Sequence, residues 1–132
     1  MIKQLSKALS AAKSITDWLI NETTTHSTQA FYVMQKLETT RLADTREYSV
    51  TVYKEFSDKG VAYTGSSSFV LSHKLSNADL NKKIEEAAFA ASLIKNKRFD
   101  LVPGTAKRIW KEKPFGCEPL VLLDKIANVF FK

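Results

Sequence analysis

Arg46-Glu47-Tyr48-Ser49-Val50-Thr51-Val52-Tyr53-Lys54-Glu55-Phe56 decides the fold class, read together with Ser57-Asp58-Lys59-Gly60 and the return from Val61 to Ser72. Over residues 47–56, Tyr48, Val50, Val52 and Phe56 point one way and Glu47, Ser49, Thr51, Tyr53 and Glu55 the other. That is the period of two of a strand with one covered face. The tetrapeptide 57–60 is a reverse turn, with aspartate early and glycine where positive φ is tolerated. Residues 61–72 then pair back, and the turn sets the register. Val52 and Phe56 are expected to meet apolar partners among Val61, Tyr63, Phe69 and Leu71. Within the returning strand, Gly65-Ser66-Ser67-Ser68 offers almost no side chain to pack. Such a run marks a bulge or a close backbone approach, or a small-residue edge that receives another chain.

The segment after the hairpin carries a helix start signal. Ser76 is the expected N-cap, Asp79 stands at the capping-box position, and Leu75 and Leu80 form a hydrophobic staple. Leu80, Ile84, Ala87, Ala88, Ala91 and Ile94 make the buried stripe of a helix running to about Lys97, and its alanines allow close packing on a sheet. Upstream, Ile2, Leu5, Leu9, Ala12, Ile15 and Leu19 recur at spacings of three and four and predict a helix over 2–20, ended by the polar residues 21–27. Residues 29–37 read as a strand and 39–45 as a polar connection that its threonines could extend. Downstream, Pro103-Gly104 and Pro114-Phe115-Gly116 bracket a basic connector over 99–117, and Pro119 opens a last helix over 118–132. The expected fold is α+β: one domain over 1–132 with its core in 27–102. An antiparallel sheet of three or more strands packs against helices in the order α-β-β-β-α-α. The abrupt finish at Phe130-Phe131-Lys132 suggests the N-terminal domain of a longer protein.

Composition narrows the chemistry. The chain has 132 residues, 44% hydrophobic and 26% charged, enough for a core without disulfides or metal. One cysteine, Cys117, forbids an internal disulfide and a multi-cysteine zinc site. No apolar run approaches the ~20 residues that span a bilayer, and no signal-peptide core opens the chain. A cytoplasmic location is therefore expected.

His26 and His73 are the only histidines, and neither begins a metal-binding helix motif. Glu85 and Glu86 sit beside Lys82 and Lys83 as an ordinary charged face, and Asp44, Arg46 and Glu47 are placed for a local ion pair. No catalytic, metal or cofactor residue is assigned. The net charge of +6 gathers late: Lys95, Lys97, Arg98, Lys107, Arg108, Lys111 and Lys113. The last four, with Trp110 among them, form a candidate basic patch for a nucleic-acid backbone. This is the alternative function, although no nucleic-acid motif accompanies the charge.

At Glu47–Phe56, Gly65–Ser72 and Leu80–Ala91, with Phe31–Leu37 and Arg41–Arg46 preceding, the chain resembles the N-terminal domain of the TldD/PmbA proteins. These proteins were named as modulators of DNA gyrase and include metallopeptidases. The resemblance covers roughly residues 27–102 and lies in strand-turn-strand-helix order and residue texture. In that family a zinc-binding His-Glu-x-x-x-His motif and a distant cysteine ligand belong to a later region. Neither is present here, and Cys117 is not that ligand. The resemblance implies a non-catalytic domain that helps assemble subunits and walls a cleft where unfolded peptides enter. Its partners would be the rest of a longer protein or a partner subunit, and zinc would belong only to the absent catalytic region. Gly65, Ser66, Ser67 and Ser68 are the candidate peptide or partner contact.

Overall fold

A computed structural model describes residues 1–101 and 116–131. It contains α1 (Ile2–Ala11), β1 (Asp17–Val33), β2 (Lys36–Asp58), β3 (Val61–Leu71), α2 (Asn77–Ser92), β4 (Asn96–Lys97) and α3 (Pro119–Phe130). The four strands form one antiparallel sheet in the order β1-β2-β3-β4, so the fold is α+β, with a two-residue strand added between the second and third helices. The described residues fall into two compact units. One holds 1–24 and 46–101, the other 25–45 and 116–131.

In the first unit the hairpin forms as the alternation requires. Asp58 pairs with Val61 across Lys59 and Gly60, whose φ values are 51° and 80°. Two left-handed residues make a type I′ turn, matched to the twist of the flanking strands. Phe56 meets Tyr63, with ring centroids 5.9 Å apart, Val50 meets Phe69, and Tyr48 meets Leu71. Val52 meets Ser67 rather than an apolar partner. The Lys95 ammonium lies 5.8 Å from the Tyr63 ring centre and donates to Asp58, a bond that holds its pKa above the usual lysine value.

Helix α2 covers this face with Leu80, Ile84, Ala87, Ala88 and Ala91, the stripe expected from their spacing. The helix ends at Ser92, about one and a half turns short of the expected Lys97, so Ile94 lies beyond its end and is exposed. Leu5 and Leu9 of α1 complete a core with Tyr48, Val50, Val52 and Leu71. Ser76 caps α2: its hydroxyl accepts from the Asp79 N–H at 3.1 Å and donates to Asp79 Oδ2 at 2.6 Å. Replacing Ser76 with alanine is expected to lower stability by about 1 kcal/mol, read from the urea unfolding midpoint.

Four sequence expectations change. The helix over 2–20 ends at Ala11, and residues 17–33 are strand. Trp18 and Ile20 pack against the core as alternate residues of β1. Aromatic and β-branched groups at 15–20 favour the pleat, and of the earlier stripe only Ile2, Leu5 and Leu9 stay in the helix, with Leu5 and Leu9 buried. The polar stretch 21–27 does not stop an element but continues β1, while 39–45 is strand, the extension that its threonines allowed. Threonines supply the β-branching in both. The strand expected over 29–37 is broken by a two-residue turn at Met34-Gln35, with φ of 47° and 65°. This is again a I′ geometry, but without glycine or asparagine to announce it. The ion pairs also differ: Asp44 meets His26 Nδ1 at 2.7 Å, and Arg46 meets Glu22 at 3.4 Å, where Tyr48 also donates to Glu22 at 2.9 Å.

The second unit combines the β1–β2 turn region with α3. The Tyr32 hydroxyl lies 3.4 Å from Asp124, and its ring packs 5.5 Å from Phe131. Burial, then the Asp124 charge, raises the Tyr32 pKa. Pro119 begins α3 as expected, and Val129 and Phe130 of that helix are exposed.

Candidate functional site

Gly65 to Ser68 lie on a strand whose ladder to β2 is unbroken from Val61 to Leu71, so the run is not a bulge. Its cause is close approach. A Cβ added at Gly65 would stand 1.8 Å from the Ala91 carbonyl oxygen and 2.8 Å from that of Ile94. The C-terminal end of α2 rests directly on the backbone of β3, and only glycine leaves room for it.

The opposite edge of β3 is where its backbone becomes available. Strand β4 pairs only with Tyr63 and Thr64. From Gly65 to Leu71, no strand among the described residues covers that edge. The hairpin geometry specifies which groups face outward. A two-residue turn closes on a hydrogen-bonded pair, so Asp58 and Val61 bond each other and the bonded pairs then alternate. On β2 the odd-numbered residues therefore turn away from β3. Two contacts agree: the Tyr53 carbonyl accepts from Thr16 N–H at 2.7 Å, and the Glu55 N–H donates to Thr16 Oγ1 at 2.9 Å. Their partners on β3 turn outward in the same way, which assigns the free backbone groups to Ser66, Ser68 and Val70. Ser68 and Val70 are exposed and Ser66 half-buried. The Ser68 hydroxyl is held 2.8 Å from Thr51 Oγ1, which keeps the outer face of the strand small.

A second feature lies at the β4 end of the same strand, on the sheet face away from α2. The Tyr53 and Phe99 rings meet edge-on, 6.4 Å apart, and Thr64 beneath them is only 2% exposed. Its hydroxyl has no hydrogen-bond partner among the described residues. A cleft of about 180 Å³ opens there between Asp17, Glu55 and Asp100. Sequence reasoning assigned nothing here, because Thr64 sits on the outward face by parity. Phe99, from the chain after β4, lies beside Tyr53 and lines the same cleft.

The remaining candidates do not assemble. Lys107, Arg108, Lys111 and Lys113, with Trp110, lie outside the described residues. Cys117 is a free thiol whose Sγ lies 3.3 Å from the Glu118 carbonyl. His26 and Asp44 form an exposed pair in the second unit. Lys82 and Glu86 make the ordinary helical pair, 4.0 Å apart. Among the described residues no three histidine, cysteine or carboxylate groups converge on a metal-sized position, and no helix is long and apolar enough to cross a membrane.

Comparison with family models, with curated proteins and with solved structures finds no match to this chain.

Proposed function

We propose that this chain is a non-catalytic binding domain that takes an extended polypeptide along the free edge of β3. The observation that carries the reading is the stretch from Gly65 to Leu71, whose outer edge no strand among the described residues pairs with. Natural edge strands are blunted by lysine, proline, bulges or a covering segment. This one has no charge, no proline and no bulge over seven residues, and its outward residues are two serines and a valine. Backbone pairing along such an edge needs no particular ligand sequence and suits an unfolded peptide. In the TldD/PmbA-like reading, the domain walls the entry path to a peptidase whose zinc chemistry lies elsewhere, in the cytoplasm. The exposed apolar surface of the second unit, including Met34, Leu42, Val129 and Phe130, is the kind that subunit assembly covers.

Val70→Pro tests the reading. Val70 sits opposite Ser49 at a pair that makes no bonds to β2, so proline removes only an edge donor. Binding of a reduced and alkylated, permanently unfolded protein is expected to weaken about tenfold, the worth of one or two backbone bonds. The unfolding midpoint should move by less than the equivalent of about 1 kcal/mol. Undiminished binding by a folded Val70→Pro variant would overturn the proposal.

A further inference from the structure

We propose that the free edge of β3 selects an extended segment that alternates apolar and polar residues, because one flank of α2 overhangs it. The inference rests on the edge-pairing reading and adds a sequence preference to it. The two flanks of α2 are told apart by their contacts. Asn77, Asn81 and Glu85 fall on one line along the helix. That line faces α1: Asn77 accepts from Gln4 at 2.7 Å, and Asn81 lines a groove with Ala8 and Ala11. Glu85 accepts from Ser14, just beyond α1, at 2.8 Å. Leu5 and Leu9 of α1 share a cluster with Trp18, Val50 and Val52, so this flank looks toward β1 and β2. Lys83, Ala87, Ala90 and Ile94, spaced by four, three and four, fall on the other line. The chain leaving α2 comes down on that side. The Ile94 carbonyl oxygen lies 2.8 Å from a Cβ placed at Gly65, and Asn96-Lys97 pairs along the outer edge of Tyr63 and Thr64. Lys83 and Ala90 are half-buried and Ile94 is 43% exposed.

A strand added beside β3 enters the corner between that edge and this flank. Its residues level with Gly65, Ser67 and Phe69 share the face that α2 covers. They stand beside a glycine and a serine, next to Ala90 and Ile94, where a large aliphatic side chain covers apolar surface. Residues level with Ser66, Ser68 and Val70 lie on the opposite, open face and need no apolar partner. A second copy of the chain fits this edge less well. Pairing β3 with its own copy would set two α2 helices about one strand spacing apart, ~4.8 Å, where packed helices need ~8–10 Å. The occupant is therefore a bare segment of another polypeptide, with no helix layered on it.

The test is fluorescence anisotropy with two labelled peptides of identical valine and threonine content, both flanked by lysines. One alternates strictly and the other groups its valines and threonines in separate blocks. The alternating peptide is expected to bind about tenfold more tightly, since only it can turn every valine toward α2. Ala90→Glu, and separately Ile94→Ser at an exposed position, should each cut that preference to about threefold or less, with the wild-type denaturant slope retained. Val70→Pro should weaken both peptides by the same factor. Equal binding of the two peptides, both weakened by Val70→Pro, would overturn the sequence preference and leave the edge reading standing. A preference untouched by both flank substitutions would overturn the role of α2. Failure of either peptide and of the unfolded protein to bind would overturn both readings. Dimerisation of the protein alone, abolished by Val70→Pro, would assign the edge to a second copy and overturn the proposal.

Discussion

Replacing Gly65 with alanine is expected to destabilise the protein by about 3 kcal/mol or more, an effect at the upper end for a single added methyl. The reason is that all three atoms nearest the new Cβ are backbone: the Ala91 oxygen at 1.8 Å, the Ala91 carbon at 2.8 Å and the Ile94 oxygen at 2.8 Å. A flexible side chain would swing aside. A helix end cannot move without withdrawing Ala87, Ala88 and Ala91 from the sheet. The variant should show a much lower urea midpoint, with the alanine face of α2 lifted from β3. A midpoint within the equivalent of about 0.5 kcal/mol of wild type would mean that the helix does not rest on this glycine.

Ile84→Ala should cost about 3 kcal/mol, within the usual range for deleting a large aliphatic group from a core. Ile84 is 1% exposed and clusters with Leu5, Leu9, Leu80, Val50 and Val52, so the cavity is walled by both helices and the sheet and has little freedom to collapse. The measurement is again urea unfolding, with an unchanged denaturant slope showing that the loss lies in the folded core. A cost below about 1 kcal/mol would indicate that α1 and the sheet close over the gap.

The hairpin and α2 were legible because each carried its own local chemistry. Asp58 and Gly60 announced a turn, Tyr48, Val50 and Val52 alternated, and Ser76 with Asp79 wrote the start of a helix. The β1–β2 hairpin was not legible for the opposite reason. Met34 and Gln35 take positive φ without glycine or asparagine, and the threonine-rich arms resemble loop as much as strand. Residues 12–20 misled because Ile15 and Leu19 fall at a helical spacing, whereas Leu19 is exposed and Ile15 packs on the core together with Trp18 and Ile20. At the candidate site, the small-residue run Gly65–Ser68 was visible, but its two roles were not separable in sequence. Gly65 answers to the Ala91 carbonyl, while Ser66 and Ser68 belong to an edge whose openness depends on how far β4 extends. Thr64 carried no signal, since by parity it sits on the outward face, and Phe99, which lines the cleft with it, comes thirty-five residues later in the chain.

Residue-resolved amide hydrogen exchange on β3, with and without an unfolded polypeptide, tests the open edge most directly. In the free protein, the Ser66, Ser68 and Val70 amides should exchange fast while those of Ser67 and Phe69, bonded to β2, are protected. On adding the polypeptide, the first three should slow and the other two should change little. Uniform protection along β3 in the free protein, or exchange at Ser66, Ser68 and Val70 that the polypeptide leaves unaltered, would contradict an edge that receives a strand.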